Sequence, residues 1–243
     1  MSLGVDDQGP CPVRRFTDRD GEAFSVVPLT KRLASTHADF LVDVHNSIPF
    51  QYWTVDDLLS DNDATRTFHG KWELSTLAVA RDETPMGFCI GFEIPPDGVH
   101  YPRPGVYMHR MSLAPAYRQR GVGAILHSET LWRALQRGLR IVQTQGTPPV
   151  IYGQTNKDGG NERIIAFHRD AGFRTIGRKQ YPDRSDVVMI MTREDFLRSR
   201  HARLWHAHAV DRDGLPDLDG EIAPAPDGEV AANEAAQDDA DGA

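Results

Sequence analysis

Arg118, Gly121, Gly123 and Ala124, within the run Tyr117-Arg118-Gln119-Arg120-Gly121-Val122-Gly123-Ala124, are the residues whose types and spacing best suit chemistry. The run follows a predicted strand, Val106 to Leu113, and opens a predicted helix reaching about Leu139. A glycine-pinched turn ahead of a helix points several backbone N–H groups at one spot, and the helix dipole makes that spot positive. A diphosphate fits such a cradle. Two common phosphate loops are excluded. No Gly-Lys-Ser/Thr occurs anywhere in the chain, and Leu126 stands where a dinucleotide fingerprint needs its third glycine. The plain alternative is a tight strand-to-helix turn whose glycines serve packing only.

A second run, Asn161 to Phe173, bears on that choice. Asn161 suits a helix N-cap, Gly172 a position just past the helix end, and Phe173 the start of a strand. Helical geometry places Ile164, Phe167, His168 and Ala171 on one face. The first run reads Arg-x-x-Gly-x-Gly-Ala after Leu113-Ala114-Pro115. The second follows Asn-x-x-Ala-x-x-Leu/Phe-Tyr-x-x-x-Gly-Phe at Asn161, Phe167, Gly172 and Phe173, with Ile164 replacing the small residue and His168 the tyrosine. In this order the two resemble the signatures of the GNAT superfamily of acyl-CoA-dependent N-acyltransferases, over roughly residues 22 to 195.

That resemblance implies an α/β (α+β mixed) fold, with a central mixed sheet of six to seven strands and about four flanking helices. It implies acetyl-CoA as co-substrate, held by Arg118, Arg120, Gly121, Val122, Gly123, Ala124 and Asn161. Backbone of Met111 to Leu113 would hold the thioester oxygen and pair with pantetheine as an added strand would. The acceptor is expected to be a primary amine attacking directly, on a small molecule or aminosugar. A protein amine is the alternative acceptor, and an inactive acyl-CoA-binding regulator the alternative class, since Ile164 and His168 depart from the pattern.

N-acyl transfer needs a neutral amine, a polarised carbonyl and a proton for the leaving thiolate. His168, in the tyrosine's place, is the expected general acid, since an ordinary imidazole titrates near 6.5. His109 is the first candidate for general base and Glu93 the second. Tyr107, His109 and Met111 should alternate onto one strand face unless a bulge intervenes. Trp53, Asp56 and Asp57 would suit a cationic amine, although core packing and helix capping account for them equally. Acceptor choice should reside in residues 46 to 72 and in the loop from Pro95 to Pro104.

These residues need elements to position them. Expected strands are Phe24 to Leu29, Leu74 to Ala80, Met86 to Ile94, Val106 to Leu113, Val150 to Gln154, Arg174 to Tyr181 and Val187 to Thr192. Expected helices run from Lys31 to Asn46 behind the cap Thr30, after Thr54, from Gly121 to Leu139 and from Asn161 to Ala171. The strands at Val106 and Val150 should be parallel, joined by a right-handed crossover. Residues 1–20 read as a loose leader, 21–199 as the folded domain and 200–243 as an acidic tail, disordered from Asp211.

The chain has a formal net charge of −8, yet residues 211–243 hold eleven acids against one arginine, which leaves the rest near neutral. Charge therefore points to neither nucleic acid nor membrane as a partner. A homodimer is compatible with the pattern. With only two cysteines, Cys89 and a Cys11 set in the polar leader, the chain offers no disulfide framework or cysteine zinc site, and no metal is expected. His201, His206 and His208 read as a solvated helix end. Arginine in place of lysine, with much Ala and Asp, suggests a GC-rich bacterial gene and a cytoplasmic product.

Overall fold

In the computed structural model the described residues are 13–47, 52–62, 67–94, 105–136, 142–146, 160–180 and 185–218. Eight strands form one sheet: β1 (Arg14–Thr17), β2 (Ala23–Pro28), β3 (Thr76–Ala80), β4 (Pro85–Ile94), β5 (Gly105–Leu113), β6 (Val142–Gly146), β7 (Arg174–Gln180) and β8 (Ser185–Met191). Their order is β1-β2-β3-β4-β5-β6-β8-β7. Neighbours run antiparallel except β5 and β6, which are parallel. The parallel partner of β5 is thus Val142–Gly146; the expected strand at Val150 to Gln154 lies outside the described residues.

The helices are α1 (Lys31–Thr36), α2 (Ala38–Asn46), α3 (Val55–Leu59), α4 (Lys71–Leu74), α5 (Val122–Gln136), α6 (Gly160–Asp170), α7 (Arg193–Leu197) and α8 (Arg200–His208). One face of the sheet packs Leu77, Val79, Phe88 and Ile90 against Ala34, Ala38, Leu41 and Leu58 of α1, α2 and α3. The other buries Val106, Met108, Met189 and Met191 under Ile125, Leu126 and Trp132 of α5 and Trp205 of α8. The helix expected over residues 31 to 46 divides at His37, whose φ −111° and ψ 21° leave the helical region. Just before the break, Thr36 Oγ1 donates to the Arg32 carbonyl at 3.0 Å, a back-bond that bends helices.

Two boundaries differ from the sequence expectation. Arg14–Thr17, placed in the leader, forms edge strand β1, and Phe16 is fully buried. At the other end the packed body runs on through α7 and α8 to Leu218, which is 8% exposed, with Leu215 also against the core. Leucines at 215 and 218 are the apolar residues that the acidic composition hides. A buried ion cluster ties both ends to the centre. The Glu129 carboxylate of α5 meets Arg14 Nε at 3.1 Å and Arg133 Nε at 2.8 Å, and accepts from Trp205 Nε1 at 3.0 Å.

Candidate active site

The loop between β5 and α5 takes the shape that the glycine pattern implies. A single 3₁₀ turn at Pro115–Tyr117 leads to Gln119 with φ 66° and Gly121 with φ 87°. Both lie in the left-handed region, where glycine is favoured. Helix α5 starts at Val122, and the N–H groups of its first turn have no partner within the helix. At Gly123 a Cβ would stand 3.1 Å from Leu113 Cδ1, so a larger residue would press the loop off the end of β5. Val122 is buried and Ala124 partly exposed.

The loop's arginines face inward to the fold. Arg118 Nε donates to the Leu113 carbonyl at 2.9 Å, and Arg118 Nη2 to Ser47 Oγ at 2.8 Å. Arg120 pairs with Asp18 at 2.6 Å and Asp20 at 2.9 Å on the turn between β1 and β2. Arg118 therefore braces the strand end and α2, and Arg120 anchors the hairpin. Asn161 lies in the first turn of α6, with its side chain outside the described residues.

Strand β5 carries a bulge at its middle. Ile90 pairs with Arg110 and Gly91 with Met108, so His109 is the extra residue. The bulge changes which residues share a face. Val106 and Met108 point to the α5 side, and beyond the bulge Met111 and Leu113 do so as well, near Gly123. Tyr107 and His109 face the other side with Phe92, joined by Arg110 over the Trp53 ring. Met111 thus leaves the face of Tyr107 and His109, against simple alternation. Pairing of β5 with β6 covers Val106 and Tyr107, and the register stops there. Met111 to Leu113 pair with Cys89 to Gly87 of β4, and among the described residues no β6 residue pairs with them.

The Acetyltransferase (GNAT) family matches residues 39–173, more than half of the chain. The chain belongs to the GNAT family. No curated protein matches it. Among solved structures it is similar to the NatC complex bound to Gag peptide and CoA, with 15% identity and TM-score 0.50 over 70% of this chain and 98% of that one. It is likewise similar to the GNAT domain of S. lividans PAT, with 17% identity and TM-score 0.52 over 74% and 96%. An uncharacterised protein from Bacillus halodurans is similar at 15% identity and TM-score 0.53, over 80% and 97%. At these identities the likeness is one of fold.

On the face of β5 that carries His109 this GNAT chain forms an aromatic wall. The His109 ring centroid is 5.9 Å from Trp53, 5.5 Å from Phe68, 5.4 Å from Phe92 and 6.0 Å from Tyr107. Asn46 fixes Trp53 through both backbone groups, donating to its carbonyl at 2.9 Å and accepting from its N–H at 2.8 Å. Behind Trp53, the fully buried His45 stacks at 4.1 Å. Burial first, and Arg110 second, lower the His45 pKa to about 4. The wall recruits no carboxylate from α3. Asp57 closes a capping box with Thr54, whose backbone and hydroxyl bonds lower its pKa, and Asp56 is exposed. Sequence alone showed Trp53 but not its partners Asn46 and His45, because a polar–aromatic clasp across seven residues has no periodic signature.

Glu93 and His168 sit apart from that wall. Strand alternation turns Glu93 to the face opposite Phe92, where its Oε1 would lie 3.3 Å from a Cβ on Gly70. His168 lies within an aromatic and histidine cluster, with ring centroids 5.6 Å from His127 and 5.3 Å from Phe173. Burial, then the neighbouring His201, lower its pKa to about 4, so the ring is neutral at neutral pH. Of its expected face mates, Ala171 is buried, Phe167 half-buried and Ile164 45% exposed. Gly172 closes the helix at φ 99°, where a Cβ would come within 2.5 Å of the Asp195 carbonyl. His201, read as part of a solvated end, is instead 6% exposed and packs its ring 4.6 Å from Phe167.

Proposed function

We propose that this GNAT protein transfers an acetyl group from acetyl-CoA to a primary amine by direct attack. The observation that carries the proposal is the meeting of two features at one end of β5. A left-handed loop at Gln119 and Gly121 opens α5, and β5 pairs with β6 at Val106 and Tyr107 while, among the described residues, Met111–Leu113 beside the loop pairs with β4 only. The first suits a diphosphate. The second suits an extended amide chain such as pantetheine, which would bond to the strand edge as an added strand does.

Acetyl-CoA supplies the thioester; the remaining work falls to residues of this chain. Backbone N–H groups near Met111 would hold the carbonyl oxygen as negative charge grows on it. The amine nitrogen bonds to the carbonyl carbon, loses a proton, and the C–S bond breaks to release CoA, whose sulfur takes up a proton. His109 is assigned the base, because the bulge presents it among Trp53, Phe68 and Tyr107 on the partly exposed wall. The neutral, packed state of His168 supports a structural role, so the thiolate draws its proton from solvent or from the amine's own proton through water. Glu93, on the other face, has no part in this scheme.

The wall supports a small-molecule amine that carries an apolar or aromatic group beside the nitrogen. Among the described residues α3 offers it no free carboxylate for a second cationic group, since Asp57 serves its helix cap. The test is thiol release from acetyl-CoA with an amine panel, for wild type and His109→Phe. Phenylalanine keeps the stacking but cannot accept a proton. Loss of roughly 10²-fold in kcat with unchanged CoA affinity is expected. Failure of every amine to release CoA would refute transferase activity, and an unaltered kcat in His109→Phe would refute the assigned base.

A further inference from the structure

We propose that Arg19, on the turn between β1 and β2, is a donor-binding residue whose guanidinium contacts the diphosphate of acyl-CoA. The inference rests on the donor site proposed above and adds a residue from outside the matched family segment, residues 39–173. The hairpin is fastened to the loop by backbone: Arg19 N–H donates to the Arg120 carbonyl at 2.9 Å. Its side chain then runs directly over the loop's left-handed glycine. Arg19 Cγ, Nε and Cδ lie 3.3, 3.5 and 3.7 Å from where a Cβ on Gly121 would stand. That position adjoins the first-turn N–H groups of α5, where the anion would sit.

Charge supports the same reading. Arg120, the arginine within the motif, is committed to Asp18 and Asp20 at 2.6 and 2.9 Å. Arg118 is committed to the Leu113 carbonyl and Ser47. Arg19 is exposed, and no carboxylate among the described residues pairs with it. Among the described residues it is thus a cation at the loop with no carboxylate partner. The turn that carries it is stiff: Asp18 Oδ1 accepts from Asp20 N–H at 2.9 Å and Glu22 N–H at 3.0 Å. The same pairing of Asp18 and Asp20 with Arg120 screens the two carboxylates that would otherwise repel the diphosphate. A planar guanidinium beside backbone N–H groups is a recurrent way to hold phosphate oxygens.

Calorimetric titration of wild type, Arg19→Ala and Arg19→Lys with CoA and with 3′-dephospho-CoA tests the proposal. Dephospho-CoA keeps the diphosphate and lacks the ribose phosphate. Arg19→Ala is expected to weaken both ligands about tenfold or more, as a lost charge-assisted contact does, and to flatten the salt dependence of Kd. Arg19→Lys should recover part of the loss, and melting temperatures should match because the side chain is exposed. The kcat/KM for acetyl-pantetheine, which has no diphosphate, should stay unchanged in Arg19→Ala. Equal Kd values for wild type and Arg19→Ala would overturn the proposal. So would a loss confined to CoA, which would assign the contact to the 3′-phosphate. Wild type failing to bind either ligand would instead overturn the donor site itself.

Discussion

Four histidines in this protein are held neutral by burial, and the fold should loosen as acid forces protons on them. Burial is the largest cause of the lowered pKa in His45, His127, His168 and His201. His45, His168 and His201 fall to about 4 and His127 well below its ordinary value of 6.5. The sign follows from proton counting. Between pH 6.5 and about 4 the unfolded chain binds these protons and the native chain does not, so stability present above 6.5 is lost as pH falls. For the three that fall to about 4, each site contributes about 1.4 kcal/mol of loss between pH 7.5 and 5.5, so together they give about 4 kcal/mol, and His127 acts in the same direction. Partial exposure of His168 brings the expectation to about 3 kcal/mol. That remains a large share of a typical domain's 5–15 kcal/mol. Asp57, Asp61 and Asp82, with pKa values lowered by hydrogen bonds, titrate in the folded state below their ordinary 3.8, and so add nothing within this window. Urea unfolding at pH 7.5, 6.5 and 5.5 measures the slope, and His127→Phe should remove about one proton from it. Stability constant to within about 1 kcal/mol over that range would refute the argument.

Three further outcomes are expected. Gly121→Val should raise the KM for acetyl-CoA about tenfold or more, since a β-branched residue strains at φ 87° and crowds Arg19; unchanged KM in a folded variant would remove the loop from the donor site. His168→Phe should hold kcat within about tenfold of wild type, because the ring is packed and neutral, and a fall of ~10² or more would reinstate it as the general acid. Glu129→Leu should destabilise the fold by about 3–5 kcal/mol in chemical denaturation, as two buried guanidiniums and the Trp205 indole lose their partner; a loss below about 1 kcal/mol would show that the cluster is dispensable.

What the sequence could reveal followed from how local each constraint is. The glycine turns were legible because they answer to backbone geometry: glycine at 121 to φ and to the Arg19 side chain over it, and glycine at 172 to φ and to the approach of Asp195. The strand that feeds the loop was also legible, from its apolar run. The bulge at His109 was open to suspicion only, since the sequence of β5 contains no glycine at that point, and the extra residue appears in the pairing with Gly91 and Ile90. That single residue decides that Arg110 stands on the wall with Trp53 while Met111 turns to α5.

The least legible features are those made by residues far apart in the chain. Arg14, Glu129, Arg133 and Trp205 come from three distant segments and become one buried cluster only when β1 and α8 close over α5. The same closure turns His201 from an apparent solvated end into a packed ring against Phe167. The β1–β2 turn likewise lies on the loop between β5 and α5, where Arg19 meets Gly121. The loop itself thus lies within the family segment, and the side chain that covers its Gly121 comes from a flanking one. Composition pointed the other way at both ends, because polar leaders and acidic tails are read by average, whereas docking here depends on Phe16, Leu215 and Leu218. A few apolar side chains at the right register suffice to order a segment whose average resembles disorder.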